Sequence, residues 1–462
     1  MFLRLPLLIA LCLVSFAVPA ETGSALPIYL TEIVEQPTPE QQQARKQVVS
    51  EEEEDPQAQS TTEHQQESDA LELRQQETVE ASEVDQDQAN AQKEVKSEEE
   101  EPSFKREEKV PEVVVKEPLK GNLYGSIRLR YRSTDAGSIL GDAGSRAGLE
   151  AEWHTGPDAW VYARLEAGFN VLDELDTLLS AGGGGGESEQ GDSVFPRLYT
   201  VGIETPVLVA SYGKTWSTYY RIANFTDRFD SAGSDAVGTF NANTDGGATG
   251  TGRADSVLQT RAYVDFLPEA WKVKPFNLNI QLQGDQPIPR VDGVNYLNAI
   301  GLSAVLESRS DYTLGIAYNL AFIEDLNDPA VQAAGISGDA QALLIGARWF
   351  DEQWYLGLTV ARLSNHETTD QGTYFIGWGS ELYARYKLIK RYWLVAGYNW
   401  LRPDADQTQA GEYELLYGIF GLRYSIDDFN RLAYAEWRVD STISETGEEL
   451  GNILTIGLRW DF

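Results

Sequence analysis

The chain has 462 residues, 42% of them hydrophobic, and a formal net charge of −35 at pH 7. A surface this acidic repels phosphate backbones, so nucleic acid is excluded as a partner, and no apolar run reaches the roughly 18 residues that a membrane-spanning helix needs. The single cysteine, Cys12, excludes intramolecular disulfides and cysteine-based metal sites. The histidines are too few and too scattered for a zinc site, and no cofactor is expected. They are His64, His154 and His366.

Residues 1–20 have the pattern of a secretory signal peptide. Arg4 supplies the positive charge, an apolar stretch runs from Leu5 to Val18, and small residues before and at Ala20 form a cleavage site. We therefore expect cleavage after Ala20. This cleavage removes Cys12 and leaves an exported chain without a thiol.

Residues 21–117 differ sharply in composition from the rest of the chain. They contain 27 acidic and 9 basic residues, and Tyr29 and Phe104 are their only aromatic residues. Such low hydrophobicity and high net charge cannot offset the conformational entropy that folding removes. We predict an acidic, disordered arm in the periplasm, where a partner protein could bind it. A coiled coil is the weaker alternative, because no apolar heptad persists and prolines interrupt both ends.

Residues 118–462 carry all 11 tryptophans, and they predict an all-β, transmembrane antiparallel barrel of about 16 strands. In Phe276–Gln283 every second residue is apolar and the others are all amides, as in a strand with two different faces. A soluble β-sandwich shows the same alternation, so this pattern alone leaves both folds open. The clearest predicted strands are Asn122–Arg132, Trp160–Phe169, Val257–Phe266, Phe276–Gln283, Tyr312–Phe322, Tyr374–Leu388, Tyr392–Leu401 and Leu415–Tyr424.

The connections between predicted strands alternate in length, which favours an outer-membrane barrel with short periplasmic turns and long outer loops. The short connections are Thr155–Asp158, Thr205–Pro206, Ser308–Asp311, Asp351–Gln353, Ile389–Arg391 and Asp427–Phe429. The long connections are Thr134–Gly144, Val171–Val194, Thr215–Asp255, Ile323–Asp339 and Ser441–Leu450. Aromatic residues flank the short side and predict an interfacial girdle, with cross-strand ring packing as the alternative. These pairs are Trp153/Trp160, Trp349/Trp354, Tyr386/Tyr392 and Tyr424/Phe429.

The last stretch, Gly451–Phe462, predicts the strand that closes the barrel. Apolar residues at every second position define a face toward lipid. The spacing of Gly457, Trp460 and the terminal Phe462 resembles the signal by which outer-membrane barrels reach their assembly machinery. These three residues are therefore the predicted assembly signal. An ordinary edge strand of a soluble sheet is the alternative.

The first predicted strand carries Arg128, Arg130 and Arg132 on one face, because successive side chains of a strand alternate between faces. An arginine facing lipid at the bilayer midplane costs about 2–4 kcal/mol, so these side chains are expected to face a water-filled lumen. Arg146 and Arg164 lie similarly between apolar neighbours. Such arginines either set the electric field of the pore or pair with nearby carboxylates and brace the wall.

Six segments together resemble the trimeric general porins of Gram-negative outer membranes. They are Leu123–Ser126, Ser145–Glu150, Tyr199–Glu204, Ser211–Trp216, Phe225–Phe229 and Trp460–Phe462. The resemblance covers about residues 121–462 and implies a 16-stranded barrel in outer-membrane lipid, a homotrimer, and passive diffusion of ions and small hydrophilic solutes. The acidic arm has no counterpart in that family.

The resemblance also implies a pore constriction. In these porins the third long loop folds inward and sets acidic residues against a basic wall, and Thr215–Asp255 is the corresponding segment here. The acidic candidates are Asp227, Asp230 and Asp235, and Lys214 and Arg253 match positions that are basic and lumenal. The family's Pro-Glu-Phe-Gly-Gly turn is replaced here, which leaves the position of the loop tip open. A solvated outer loop without a place in the lumen is the alternative.

Other functions remain open at this stage. A substrate-specific, anion-selective channel is motivated by the arginine ladder. A barrel lipase requires a nucleophile beside a base, but His154 and His366 are predicted at opposite ends of the barrel. A diffusion pore needs no catalytic group, so no enzymatic activity is expected. A tethering role for the arm is compatible with a pore.

Overall fold

The computed structural model describes residues 119–156, 158–172, 194–265, 267–268, 272–309, 311–427 and 430–462. The predicted signal peptide (1–20) and acidic arm (21–117) lie outside the described residues and stay predictions, as does most of the loop Val171–Val194. No helix among the described residues combines the length and the apolarity that a membrane crossing demands.

The described residues form eighteen antiparallel strand segments of one sheet. They are β1 (Lys120–Thr134), β2 (Gly137–Asp142), β3 (Arg146–Gly156), β4 (Ala159–Phe169), β5 (Val194–Glu204), β6 (Leu208–Trp216), β7 (Arg253–Val264), β8 (Phe276–Gln283), β9 (Gln286–Pro287), β10 (Asn295–Glu307), β11 (Tyr312–Ile323), β12 (Ala340–Phe350), β13 (Trp354–Thr368), β14 (Tyr374–Ile389), β15 (Tyr392–Pro403), β16 (Leu415–Asp427), β17 (Arg431–Asp440) and β18 (Ile453–Asp461). Segments β2 and β3 both pair with β1, and β8 and β9 both pair with β10, so each couple is one interrupted strand. The sheet is therefore a closed barrel of 16 strands, which confirms the predicted fold class.

The barrel closes where β1 pairs with β18, from Ser126 opposite Asp461 to Ser133 opposite Leu454. This confirms that the last stretch of the chain is the closing strand and not the free edge of a soluble sheet. Closure leaves every strand paired on both sides, which a sheet needs in order to stand in lipid.

Short helices occur only in the connections between strands of the described residues. They are α1 (Tyr220–Ala223), α2 (Pro329–Ala333) and two 3₁₀ turns, Asn241–Asn243 and Thr408–Ala410. The sequence places α2 locally: the Asp328 carboxylate accepts the Ala330 N–H at 2.8 Å, and Pro329 occupies the first turn, where a missing N–H costs nothing. One predicted loop, Thr134–Gly144, is wrong, because β2 extends the ladder along β1 through most of it. Period-2 alternation in that stretch is too brief to stand out from a loop.

The two faces of the wall separate a membrane barrel from a soluble sandwich. In β8, Ile280 and Leu282 point outward and are 37% and 48% exposed, whereas Asn279 and Gln281 point inward and are buried. The same pattern recurs around the barrel, with leucine, isoleucine and tyrosine side chains outside. A soluble sandwich buries its apolar face, so this inside-out arrangement identifies a barrel built for lipid.

Aromatic rings mark the short-turn end of the barrel. Trp354 packs on Tyr386 with ring centroids 4.5 Å apart, and Tyr392 packs on Tyr424 at 4.7 Å. Both arrangements predicted for these rings therefore occur together, a row at the short-turn end and packing across strands. Trp160 is a correction to the predicted girdle, because it faces the lumen opposite His154. Phe429 lies outside the described residues.

Candidate functional site

Residues 217–252, which connect β6 to β7 and are called the inner loop here, lie inside the barrel. Tyr219, Ile222 and Phe225 of this loop are buried, and they pack against an apolar patch on the inner wall that includes Ala317 of β11 and Leu344 of β12. Apolar residues on a lumenal face would be unfavourable against water, so the patch is explained by the loop that covers it. The segment is not the solvated outer loop of the alternative interpretation.

Glycines let the inner loop lie directly on the wall. A Cβ added to Gly379 of β14 would overlap the backbone oxygen of Ala236, and one added to Gly357 of β13 would overlap that of Phe225. Only a residue without a side chain fits at these two points of backbone contact. The wall is therefore shaped to hold the loop at a fixed depth.

Buried carboxylates of the wall tie down the loop backbone. Glu436 of β17 accepts the N–H groups of Asp230 and Ser231, both at 2.9 Å. Glu381 of β14 accepts the Ala236 N–H at 3.0 Å and the Thr226 hydroxyl at 2.7 Å. These acceptors replace the water that a free loop would bind.

A third carboxylate and a histidine hold the far part of the loop. Glu367 of β13 accepts the Ala242 N–H at 2.7 Å, and Nε2 of the buried His366 lies 2.8 Å from the Gly238 carbonyl oxygen. His366 therefore serves to brace the loop. These anchoring residues were not predicted from the sequence. The available signal was a carboxylate on the lumenal face of a predicted strand, as at Glu381 in Tyr374–Leu388.

The three acidic candidates of the loop have different environments. Asp230 is buried, and its carboxylate lies 2.6 Å from Nε of Arg423 and 3.7 Å from a terminal nitrogen of Arg459. Asp227 accepts the hydroxyl of Tyr220 at 2.7 Å. Asp235 keeps a side-chain exposure of 42%, although it accepts the Tyr417 hydroxyl at 2.6 Å. Asp235 is therefore the predicted carboxylate that most directly faces water.

Part of the predicted basic wall does face this loop across water. Arg130 and Arg132 of β1 line an open cavity of about 340 Å³, and Asp230 and Asp235 of the loop also line it. Arg128 lies one step further along the same face, and its Nε donates to the Ser126 hydroxyl at 2.8 Å. Within the described part of the chain, neither Arg130 nor Arg132 forms an ion pair with a carboxylate, so their charges face the cavity.

Two arginines that the sequence analysis did not single out complete this wall. Arg438 of β17 lies 3.6 Å from the Asp235 carboxylate and stacks over the Tyr417 ring at 3.6 Å from its centroid. Arg459 of β18 lies directly opposite Arg128 in the closing pair of strands. Both follow the period-2 rule, but their place beside β1 depends on barrel closure.

The remaining predicted basic residues are held by carboxylates. Glu166 lies 3.9 Å from Nε of Arg146, and Nε of Arg164 donates to Glu150 at 2.5 Å. Arg197, which was also not predicted from the sequence, binds Glu166 at 2.7 Å. For Arg146 and Arg164 the structure thus shows the alternative of ion pairs that brace the wall, which reduces their free charge.

Lys214 and Arg253 belong to the base of the inner loop. The Lys214 ammonium contacts Asp245 at 2.7 Å and Asp255 at 2.6 Å, and Nε of Arg253 lies 3.4 Å from Asp245. Burial alone would raise the pKa of the Asp245 carboxyl, but hydrogen bonding and charge from Lys214 hold that pKa below its ordinary value. This cluster fastens the loop where it leaves β6 and returns into β7.

The residues of the predicted assembly signal lie at the closing seam. The Phe462 N–H donates to the Gly125 carbonyl at 3.0 Å, and the Phe462 ring covers the face of Gly125. Gly457 leaves room for the Tyr434 ring from the neighbouring strand. Trp460 and Phe462 are both more than half exposed on the outer surface. Their role in assembly stays a prediction.

No protein-family model and no curated protein matches this chain. Among solved structures, it is similar to OmpF of Salmonella typhi in complex with daunomycin, with a TM-score of 0.60 and 19% identity over 74% of this chain and 98% of that chain. The chain has the porin fold. An anion-selective porin from Comamonas acidovorans aligns with a TM-score of 0.53 and 15% identity over 75% of this chain and 100% of that one. OmpT of Vibrio cholerae, in a trimer form, aligns with a TM-score of 0.50 and 13% identity over 74% and 99%.

Proposed function

We propose that this protein is an outer-membrane porin of a Gram-negative bacterium, forming a water-filled channel for passive diffusion of ions and small hydrophilic solutes. The observation that carries the proposal is the closed barrel with an apolar exterior, a polar lumen and a loop folded inside it. An apolar exterior suits lipid, and a polar lumen narrowed by a fixed loop suits selective passage of hydrated solutes. No step in this function requires a catalytic group.

The charges at the inner loop support a transverse field across the pore. Arg130 and Arg132 line the cavity beside the loop, Arg128 lies on the same face of β1, and Asp235 lines the cavity from the loop. Charges closer than the Debye length, about 8 Å in physiological salt, act on a passing ion together. The constriction assigned to these residues is therefore electrostatic as well as steric.

The proposal includes the assembly and the partners expected from the sequence. A homotrimer is supported by the shared fold with a protein whose structure was solved as a trimer. The outer wall would contact outer-membrane lipid, and the C-terminal residues would engage the barrel assembly machinery during biogenesis. The acidic arm would lie in the periplasm, where it could bind a partner.

A substrate-specific, anion-selective channel is the second candidate. Arg130 and Arg132 carry no ion pair within the described residues, whereas Asp230 is neutralised by Arg423. The cavity beside the loop is therefore lined by two arginines without an ion pair and by one carboxylate, Asp230, whose charge is compensated. An anion-selective porin also shares the fold.

Recording from purified protein in planar bilayers tests both candidates. A general porin is expected to give ohmic conductance in steps of three, with no single solute blocking the current at low concentration. A specific channel would show block by one anion at micromolar to low millimolar concentration. Absence of conductance from correctly folded, heat-modifiable protein would contradict both.

A further inference from the structure

Arg221, in α1 of the inner loop, is the most unusual charged residue in the lumen. The residue has 6% relative exposure, and among the residues that the structure describes its Nε and both terminal nitrogens have no hydrogen-bond partner. A guanidinium keeps its charge in proteins, so it cannot become neutral to relieve this. Buried charged donors without acceptors are costly, and each one in a native structure calls for a bound water or ion.

The neighbours of Arg221 in α1 fix the direction of its side chain. Tyr220 stacks on Trp216 with ring centroids 3.9 Å apart, and its hydroxyl binds Asp227. Ile222 fills the space above Gly315 and Gly346 of the wall. Because residues on both sides are held, α1 keeps the Arg221 guanidinium in this position.

The guanidinium lies within electrostatic range of a second arginine. Arg261 of β7 is the charged group that acts most strongly on Arg221, and Tyr162 of β4 and Tyr263 of β7 are also close enough to act on it. All three face the lumen by the alternation of their strands, near the short-turn ends of β4 and β7. Burial, and next the charge of Arg261, both lower the pKa of Arg221, and within the described ranges no carboxylate forms a hydrogen bond with its guanidinium.

A carboxylate acts on the other arginine. Glu204 of β5 interacts with Arg261, and Glu152 of β3 in turn interacts with Glu204. Two guanidiniums therefore interact in the lumen, and the carboxylate of Glu204 acts on one of them. An anion held there would satisfy the donors of Arg221 and relieve its repulsion with Arg261.

We propose that Arg221 and Arg261 form a binding subsite for a small oxyanion, such as a phosphate or carboxylate group, on the short-turn side of the inner loop. Planar guanidiniums bind such groups through two parallel hydrogen bonds, which distinguishes oxyanions from a spherical ion such as chloride. The subsite is separate from the cavity of Arg130 and Asp235, whose lining includes neither Arg221 nor Arg261. It adds a saturable step to a channel otherwise proposed to work by diffusion.

Calorimetric titration of the full-length, detergent-solubilised protein with sodium phosphate at low ionic strength and pH 7 tests this subsite. We expect saturable binding to the wild type and at least about tenfold weaker binding to Arg221→Gln, as for loss of hydrogen bonds to a charged group. Arg431→Gln is the matched control, because it removes the same charge from an exposed pair with Asp427 at the short-turn end. This control is expected to bind phosphate like the wild type.

Additional titrations and a second variant distinguish the possible results. Sodium acetate is expected to compete with phosphate, whereas sodium chloride at equal ionic strength is not; equal competition by chloride would overturn the assignment to oxyanions. If Arg221→Gln does not give heat-modifiable barrel, Arg261→Gln is titrated instead, and the same loss of phosphate affinity is expected for it. Unsaturable wild-type binding, or wild-type affinity in the folded variants, would mean that water alone satisfies Arg221. The titration does not depend on conduction, so bilayer recording of the same samples tests the channel separately.

Discussion

Replacing Arg423 with glutamine removes the main cation that holds the loop side chain of Asp230. Arg423 lies 2.6 Å from the Asp230 carboxylate and 3.9 Å from Glu436, and it also donates to the Arg228 carbonyl oxygen. The side chains of Asp230 and Glu436 are only 6% and 2% exposed. Two buried carboxylates would therefore remain close together without their cation.

The size of the effect follows from this burial. Removing one partner of a buried ion pair costs about 3–5 kcal/mol. Arg459, at 3.7 Å from Asp230, still compensates part of the charge, which favours the lower end of that range. A change of about 3 kcal/mol corresponds to a roughly 100-fold larger population of locally detached loop around Asp230. The anchors at Glu381 and Glu367 are separate from this pair, so the rest of the loop should stay in place.

Hydrogen exchange and single-channel recording measure this local opening. The amides of Asp230 and Ser231 both donate to Glu436, so their exchange reports detachment of this part of the loop. In Arg423→Gln we expect up to about 100-fold faster exchange at these two amides and increased open-channel noise. Asp230→Asn combined with Arg423→Gln should recover part of the loss, because the uncompensated Asp230 charge is removed as well.

Two results would refute this reasoning. The first is unchanged exchange of these amides in folded Arg423→Gln. The second is a coupling energy below about 0.5 kcal/mol between Asp230 and Arg423 in the double-mutant cycle, because such independence is expected only of residues that do not interact.

Further predictions concern the field, the loop seat and the closing strand. Asp235→Asn should shift the reversal potential toward anion selectivity and Arg130→Gln toward cation selectivity, and both shifts should be larger in dilute salt. Wild-type selectivity of both variants in dilute salt would contradict the place of these residues in the constriction. Gly379→Leu should displace the loop at Ala236 and change single-channel conductance, while wild-type conductance would show that the backbone contact there is not needed. Phe462→Ala should lower the amount of heat-modifiable barrel in outer membranes, and wild-type levels on gels would argue against the terminal residue as an assembly signal.

Local alternation predicted most of the strands and their faces, although it missed β2 and the inward side of Trp160. The predicted strand Phe276–Gln283 matches β8 residue for residue, and Tyr312–Phe322 ends one residue short of β11. The lumenal side of Arg128, Arg130 and Arg132 follows from the same rule. The physical reason is that side chains of a strand alternate with period two, so one face of each strand can be read from neighbouring residues alone.

Only the closed barrel determined which charged side chains are paired and which face water. Asp230 and Asp235 have equal standing in the sequence, yet one is neutralised by Arg423 and the other faces water. Lys214 matched a lumenal basic position, but its ammonium forms ion pairs with two carboxylates. Asp230 contacts Glu436 across 206 residues of chain, and no local pattern encodes such a partner. Barrel closure and the seating of the inner loop bring these groups together, and burial then determines which charges remain free to act on a solute.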